Sequence, residues 1–200
     1  MPSASAAGTI ARKWGVISST PACAGAVFPA LRRVMTRTVH GVMLKRWLSL
    51  SALVIALDQL SKAWIVNHFV YGESLRVFSV FDLVLTHNTG AAFSFLNDAG
   101  GIQRWLFSII AIAASGWIVW LLRSNSAQVL FAFALSMILG GALGNLIDRL
   151  AYGYVVDFLS FHWDEHYFPA FNLADSSITC GAFLLIIDSF KEKKHGTVAG

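Results

Sequence analysis

The chain has 200 residues, of which 56% are hydrophobic and only 13% charged, a composition that excludes a soluble domain as the default class. The net charge of +4 is carried without a basic stripe along any helix face, which argues against nucleic acid as a partner. Cys23 and Cys180 lie far apart without metal-site or redox spacing, so neither a disulfide framework nor a zinc ribbon is indicated.

Residues 1–42 have a composition of their own. They contain several basic residues, no acidic residue and many Ser and Ala, which is typical of targeting segments. Pro21 and Pro29 interrupt their apolar part, so it is a poor membrane crossing. Because Met43 directly opens the pattern Met-Leu-Lys-Arg-Trp expected before a first span, we predict that residues 1–42 are an unstructured leader or a mis-assigned start outside the fold.

Four later stretches are long and apolar enough to cross a hydrocarbon core of about 30 Å, which takes about 20 helical residues. They cover about residues 44–66, 102–122, 129–150 and 172–190. Basic residues mark their cytoplasmic ends, with Lys45 and Arg46 before the first span, Arg123 after the second and Lys191 after the fourth. We therefore predict that both termini are cytoplasmic and that residues 191–200 form a basic cytoplasmic tail.

The outer side carries most of the polar chemistry. Of the eleven acidic residues, only Asp188 and Glu192 lie on the inner side. The first outer loop, about residues 68–101, is rich in Val, Leu and Phe with partial alternation, which predicts strands. The second, residues 151–171, is aromatic, as expected of an interfacial segment. The predicted fold, over residues 43–190, is a membrane all-α bundle of four transmembrane helices with a small extracytoplasmic β-sheet subdomain between helices 1 and 2.

Charged side chains at membrane depth are costly, so each needs a partner or a function. Asp58 and Lys62 are four residues apart and are expected to pair on one helix face. The run Gly140-Gly141-Ala142-Leu143-Gly144 contains a small-x-x-x-small spacing that predicts close helix packing. Beyond it, Asn145, Asp148 and Arg149 share a face, and we expect the Asp148 and Arg149 pair either to hold the bundle together or to act in the chemistry.

Asp157 and Asp175 differ from these because neither has a basic neighbour in the sequence. The third span runs outward and the fourth runs back, so the two carboxylates are expected at the same depth and face. Asn172 adds an amide three residues before Asp175. One interpretation is a solvated loop aspartate plus an aspartate stabilised by a helix N-terminus. The other is a carboxylate dyad sharing one proton, in which one member accepts a proton from water and the other donates to a carbonyl.

The polar motifs resemble those of the bacterial lipoprotein signal peptidases (signal peptidase II) over about residues 43–190. Five motifs occur in the family's order: Asp58-Gln59-Leu60-Ser61-Lys62, Asn88-Thr89-Gly90-Ala91-Ala92-Phe93, Gly140-Gly141-Ala142-Leu143-Gly144-Asn145-Leu146-Ile147-Asp148-Arg149, Val155-Val156-Asp157-Phe158 and Phe171-Asn172-Leu173-Ala174-Asp175. Each motif alone is weak evidence. Five in order on the predicted topology are a specific signal.

The resemblance implies an aspartic endopeptidase of the bacterial inner membrane, active at the periplasmic face, that cuts diacylglyceryl-modified prolipoproteins just before the lipidated cysteine. Asp157 and Asp175 match the catalytic pair. The family pattern implies that six further residues shape or support the site: Asp58, Asn88, Gly90, Asn145, Arg149 and Asn172. It also implies that Asp148 and Arg149 hold the architecture. The expected partners are prolipoprotein signal peptides and membrane lipid, and the enzyme is expected to be a monomer without a metal or other cofactor.

Two other functions fit parts of the sequence. His162-Trp163-Asp164-Glu165-His166 fits the H-x-x-E-H pattern of a class of zinc peptidases, but that pattern requires a helix and a third ligand. Intramembrane aspartates also occur in transporters and proton pathways. Those proteins spread their carboxylates through the bilayer, whereas this sequence places them at one end and lacks an inverted repeat.

Overall fold

The computed structural model describes residues 21–90 and 102–196. Of the described residues, those before His40 and those from His40 onward belong to separate compact units. Within the described ranges the elements are α1 (Pro21–His68), β1 (Ser74–Phe78), β2 (Phe81–Asn88), α2 (Ile102–Asn125), α3 (Val129–Ala151), β3 (Val155–Trp163), β4 (His166–Tyr167) and α4 (Leu173–Gly196). Residues 91–101, the end of the predicted first outer loop, lie outside the described part of the chain.

Four helical segments have the length and hydropathy of membrane spans, which confirms the predicted bundle. They are Gly41–His68, Ile102–Asn125, Val129–Ala151 and Leu173–Lys191. Helix α1 already begins at Pro21, within the segment predicted as a leader. The assignment of residues 1–42 as a leader or as the product of a mis-assigned start stays a prediction. Residues 1–20 lie outside the described ranges.

Helix α3 is the central helix of the bundle. In its most apolar window 56% of the residues are buried, against 28% or less in the other three spans. Its glycines make this possible, because a Cβ at Gly140 would lie 2.6 Å from the Val54 side chain of α1, and one at Gly141 would overlap the Ala174 carbonyl oxygen of α4. The predicted close-packing role of this glycine run is thereby confirmed.

The antiparallel sheet has the order β1-β2-β3-β4 and combines both outer loops. Strands β1 and β2 lie in the first loop, where strands were predicted. The second loop, predicted as an interfacial segment, instead supplies β3 and β4. Strand β3 was missed because Val155, Val156, Asp157 and Phe158 are all buried, so the alternation that identifies a half-exposed strand is absent.

A small apolar cluster attaches the sheet to the bundle. Ile65, near the C-terminal end of α1, packs with Leu85 of β2 and with Val156 and Phe158 of β3. Thr86 lies opposite Asp157 in the β2 and β3 pairing, and Asn88 lies opposite Val155. The end of β2 and the start of β3 are therefore held beside the outer ends of the helices.

Candidate active site

Asp157 lies on β3 and is only 1% exposed, so it is not a solvated loop residue. Its Oδ1 accepts a 2.7 Å hydrogen bond from Nδ2 of Asn172, and the Asn88 side chain donates a second hydrogen bond. Burial raises the pKa of Asp157 to about 6, and the negative charge of Asp175 adds to the rise. This carboxyl group therefore holds a proton below about pH 6.

Asp175 is the third residue of α4, and a reciprocal cap holds it. The Asp175 backbone N–H donates to Oδ1 of Asn172 at 2.9 Å, and the Asn172 backbone N–H donates to Oδ2 of Asp175 at 3.3 Å. This is a capping box in which Asn and Asp take the two side-chain positions. Oδ1 of Asp175 accepts a further bond of 2.7 Å from Nδ2 of Asn145. The same contacts that begin the helix thus orient the carboxylate.

Asn172 brings the two aspartates together. It is fully buried, and its side-chain amide contacts Asp157 while its backbone amide contacts Asp175. A strand from the second outer loop and the first turn of α4 therefore place both carboxylates around one asparagine. The structure thus juxtaposes the two residues that the sequence selected.

A buried lysine lies beside this pair. Nζ of Lys62 lies 2.8 Å from Asp58, as the spacing predicted, and 2.8 Å from Asp148. Asp148 therefore pairs with Lys62 and not, as predicted, with Arg149. The physical reason is that adjacent residues on a helix point about 100° apart, so Asp148 faces α1 while Arg149 faces elsewhere.

The guanidinium of Arg149 has different surroundings. Its NH1 lies 3.4 Å from the Asn145 carbonyl oxygen, and its central carbon lies 5.3 Å from the Phe107 ring centre. It is close enough to interact electrostatically with Asp175, Asp148 and Asp157. Its positive charge therefore partly balances the acidic cluster.

Asn88 and Gly90 form a tight turn at the end of β2. The Gly90 backbone N–H donates to Oδ1 of Asn88 at 2.8 Å, which leaves Nδ2 of Asn88 for Asp157. Gly90 has a φ of +105°, and a Cβ there would lie 2.8 Å from the Phe107 ring. Only glycine fits this position without strain.

Sequence reasoning missed Lys62 and Gln59 as site residues. Gln59 donates to Oδ1 of Asp148 at 2.8 Å and to the Gly144 carbonyl oxygen at 3.1 Å. Both residues lie in the first-span motif, so their proximity to Asp58 was the available signal. For Lys62 the sequence predicted only the ion pair with Asp58, because its contacts with α3 depend on how the two helices pack.

The two histidines of the H-x-x-E-H pattern lie on a β-hairpin. His162 belongs to β3 and His166 to β4, with Trp163 opposite His166. The helix that this zinc-peptidase pattern requires is therefore not formed here. Nε2 of His162 instead lies 3.4 Å from Oδ1 of Asp82.

Known proteins resemble this chain in sequence and in structure. A family model described as signal peptidase (SPase) II matches residues 50–191. A lipoprotein signal peptidase of Ralstonia nicotianae is 57% identical over 156 residues, which are 78% of this chain and 89% of that protein. One of Burkholderia vietnamiensis is 54% identical over 161 residues, 80% of this chain and 96% of that protein.

Two solved structures, each described as a bacterial membrane enzyme, share the fold. One is 31% identical with a TM-score of 0.67 and covers 76% of this chain and 91% of its own. The other is 32% identical with a TM-score of 0.66 and covers 74% and 94%. The family match spans every residue of the polar cluster described above. The chain therefore belongs to the signal peptidase II family and is a multi-pass membrane protein and an aspartic peptidase.

Proposed function

We propose that this chain removes signal peptides from prolipoproteins that carry diacylglycerol on a cysteine, cutting just before that cysteine, with Asp157 and Asp175 as the catalytic pair. One observation carries the assignment of the pair. In a chain of this family, two carboxylates from different elements accept hydrogen bonds from the buried Asn172, Asp157 from its side chain and Asp175 from its backbone.

The chemistry follows from a dyad that holds one proton. The ionised carboxylate takes a proton from a water molecule, whose oxygen attacks the scissile carbonyl. The protonated carboxyl group donates a hydrogen bond to the carbonyl oxygen as negative charge develops there. When the C–N bond breaks, a proton passes to the leaving amine of the lipidated cysteine, and the signal peptide departs with a new carboxylate.

The site suits a substrate that stays in the membrane. We place it at the periplasmic face of the bacterial inner membrane, with both termini cytoplasmic, because Lys45, Arg46, Arg123 and Lys191 lie at the opposite helix ends. A substrate made of a signal helix and acyl chains then remains in lipid while its cleavage point reaches the outer helix ends. The enzyme acts on this substrate as a monomer and without a nucleic-acid partner.

Supporting residues hold the pair in place. Asn88, Asn145 and Asn172 donate side-chain hydrogen bonds to the carboxylates, and Gly90 shapes the turn that carries Asn88. Asp58 and Asp148 anchor the backbone next to each catalytic residue, and the charge of Arg149 lies nearby.

The test is cleavage of a synthetic lipidated lipobox peptide by the purified chain, compared with the same peptide without lipid. We expect cleavage of the lipidated peptide only, before the cysteine, and loss of cleavage in Asp157→Asn and in Asp175→Asn. Asp164→Asn is the matched control, because Asp164 is exposed on the β3 and β4 hairpin at a φ of 52° that Asn tolerates. Retained activity in either catalytic variant would remove that residue from the dyad.

A further inference from the structure

Lys62 is 3% exposed, and its three N–H donors are matched by three acceptors. Nζ lies 2.8 Å from Oδ2 of Asp58, 2.8 Å from Oδ2 of Asp148 and 3.0 Å from Oδ1 of Asn145. A buried cation with saturated donors is held in one place. It contacts neither Asp157 nor Asp175, so a direct part in bond breaking is not its role.

Two of these acceptors lead to the backbone beside the catalytic residues. Oδ1 of Asp58 accepts from the Ala174 backbone N–H at 2.9 Å. Oδ2 of Asp148 accepts from the Val156 backbone N–H at 3.1 Å. Ala174 directly precedes Asp175, and Val156 directly precedes Asp157. Lys62 therefore ties the backbone just before each aspartate to one buried charge.

The third acceptor controls the direction of a hydrogen bond. An asparagine amide can turn over and exchange its oxygen for its NH2 group. Oδ1 of Asn145 accepts from Nζ of Lys62 at 3.0 Å and from Nδ2 of Asn172 at 3.2 Å, and because an ammonium group only donates, Nδ2 of Asn145 faces Asp175, at 2.7 Å. In the other two amides at the site, Asn88 and Asn172, backbone N–H groups fix the direction. The direction of the Asn145 amide is held by a charged side chain, Lys62, together with the Asn172 amide.

This direction makes the two aspartates unequal. Asp175 accepts from Asn145 and from a backbone N–H while it lies, half-buried, in the first turn of a helix, where negative charge is favoured. Asp157 lies on a buried strand, where charge is disfavoured. We infer that Lys62 is a positioning residue that, together with Asn172, holds the Asn145 amide toward Asp175, so that Asp157 is the member of the dyad that carries the proton.

The inference rests on the proposed dyad and agrees with the raised pKa of Asp157. The charged groups around Asp157 and Asp175 come from two helices: Asp58 and Lys62 of α1, and Asp148 and Arg149 of α3. Of these, Lys62 is the cation that binds the Asn145 side chain directly. It is linked to the backbone before each aspartate through Asp58 and Asp148.

The first test replaces Lys62 by Met and measures kcat, KM and the pH profile of kcat/KM with the lipidated peptide. We expect kcat to fall by about 100-fold with little change in KM, because the catalytic groups lose their alignment. The midpoint of the alkaline limb should move to higher pH, since the dyad holds its proton more tightly without the lysine. Lys62→Arg, which keeps the charge and donors, should recover part of kcat and the wild-type midpoint.

Ser51→Ala is the matched control for Lys62→Met. Ser51 lies on the same helix and makes a buried 2.9 Å hydrogen bond to the Ser136 carbonyl oxygen of α3, far from Asn145. Its loss weakens the same helix pair and should leave the pH midpoint unchanged. If Lys62→Met lowered activity without moving the midpoint, Lys62 would be a structural residue and the inference would be wrong.

Asn145→Leu decides the question if Lys62→Met fails to fold. Asp175 then loses the N–H donor from Asn145, and no new charge enters the site. We expect the infrared band of the protonated carboxyl group to persist to higher pH than in the wild type, which can be measured even in an inactive protein. An unchanged titration of this band would overturn the inference.

The same infrared band separates this inference from the proposed function. At pH 5, the band that the wild type shows should vanish in Asp157→Asn and persist in Asp175→Asn. The reverse pattern would contradict the assignment of the proton while leaving the dyad intact. Cleavage by Asp157→Asn would instead refute the dyad itself.

Discussion

Asp157 and Asp175 have the same side chain but different surroundings. Asp157 is enclosed by β2, β3 and Asn172, whereas Asp175 belongs to a helix cap and is half-buried. Such differences let two carboxyl groups take opposite roles at one pH. The residue types indicate an aspartic dyad, and their local environments assign the roles.

The first prediction concerns the pH dependence of cleavage. Burial raises the pKa of Asp157 to about 6, so this group holds the shared proton below that pH and loses it as the pH rises. We expect kcat/KM for the lipidated peptide, measured from pH 5 to 9, to fall along an alkaline limb with a midpoint near 6. The limb should persist in His87→Gln, which removes a nearby imidazole. A flat profile over this range would contradict the assignment.

The second prediction concerns stability. Because the folded-state pKa of Asp157 lies above its ordinary value of 3.8, its stabilising contribution is complete below that value and is lost as the pH rises through about 6. Asp157→Asn removes the free-energy cost of ionising this buried carboxyl group. We expect the variant to exceed the wild type in free energy of unfolding by up to about 3 kcal/mol at pH 8 and by little at pH 4. Thermal unfolding in detergent at both pH values, with Asp164→Asn for comparison, measures the difference.

Among the elements, α3 determines how closely the others approach. Gly140 and Gly144 face α1, and Gly141 faces the first turn of α4. A Cβ at Gly144 would lie 2.7 Å from Oδ2 of Asp58, so this glycine also makes room for the buried ion pair. Helix packing and the catalytic site thus depend on the same surface of α3.

The third prediction compares two glycines. In Gly141→Ala the new methyl group overlaps the Ala174 carbonyl oxygen, and backbone cannot move aside easily. We expect a loss of about 1 to 3 kcal/mol in stability, together with reduced cleavage, because Asp175 shifts with α4. Gly116→Ala on α2 meets nothing within 4 Å and should retain stability and activity. Equal behaviour of the two variants in thermal unfolding would argue against this packing role.

At the scale of the whole molecule, the polar network and the sheet lie at one end of the four spans. The carboxylates, Lys62 and the three asparagines lie at the helix ends nearest the sheet and in the adjoining strands. Lys45, Arg46, Arg123 and Lys191 lie at the opposite helix ends, whereas Arg104 lies at the same end as the network and donates to the Leu150 carbonyl oxygen. This polarity supports one orientation in the membrane.

The fourth prediction tests that orientation. In a background carrying Cys23→Ser and Cys180→Ser, we expect Glu165→Cys on the β3 and β4 hairpin to react with a membrane-impermeant maleimide in intact spheroplasts. Ser124→Cys, near the end of α2, should react only after the membrane is opened. The opposite pattern would reverse the proposed topology.

The sequence alone determined the four spans, because the thickness of the hydrocarbon core imposes a length and hydropathy that are local properties of the chain. It also selected Asp157 and Asp175, because unpaired carboxylates near a membrane need a reason. Only the tertiary structure decided that β3 pairs with β2, that Asp148 pairs with Lys62, and that Asn172 contacts both aspartates. Those partners come from segments far apart in sequence, and which groups meet depends on how closely the glycines let the helices approach.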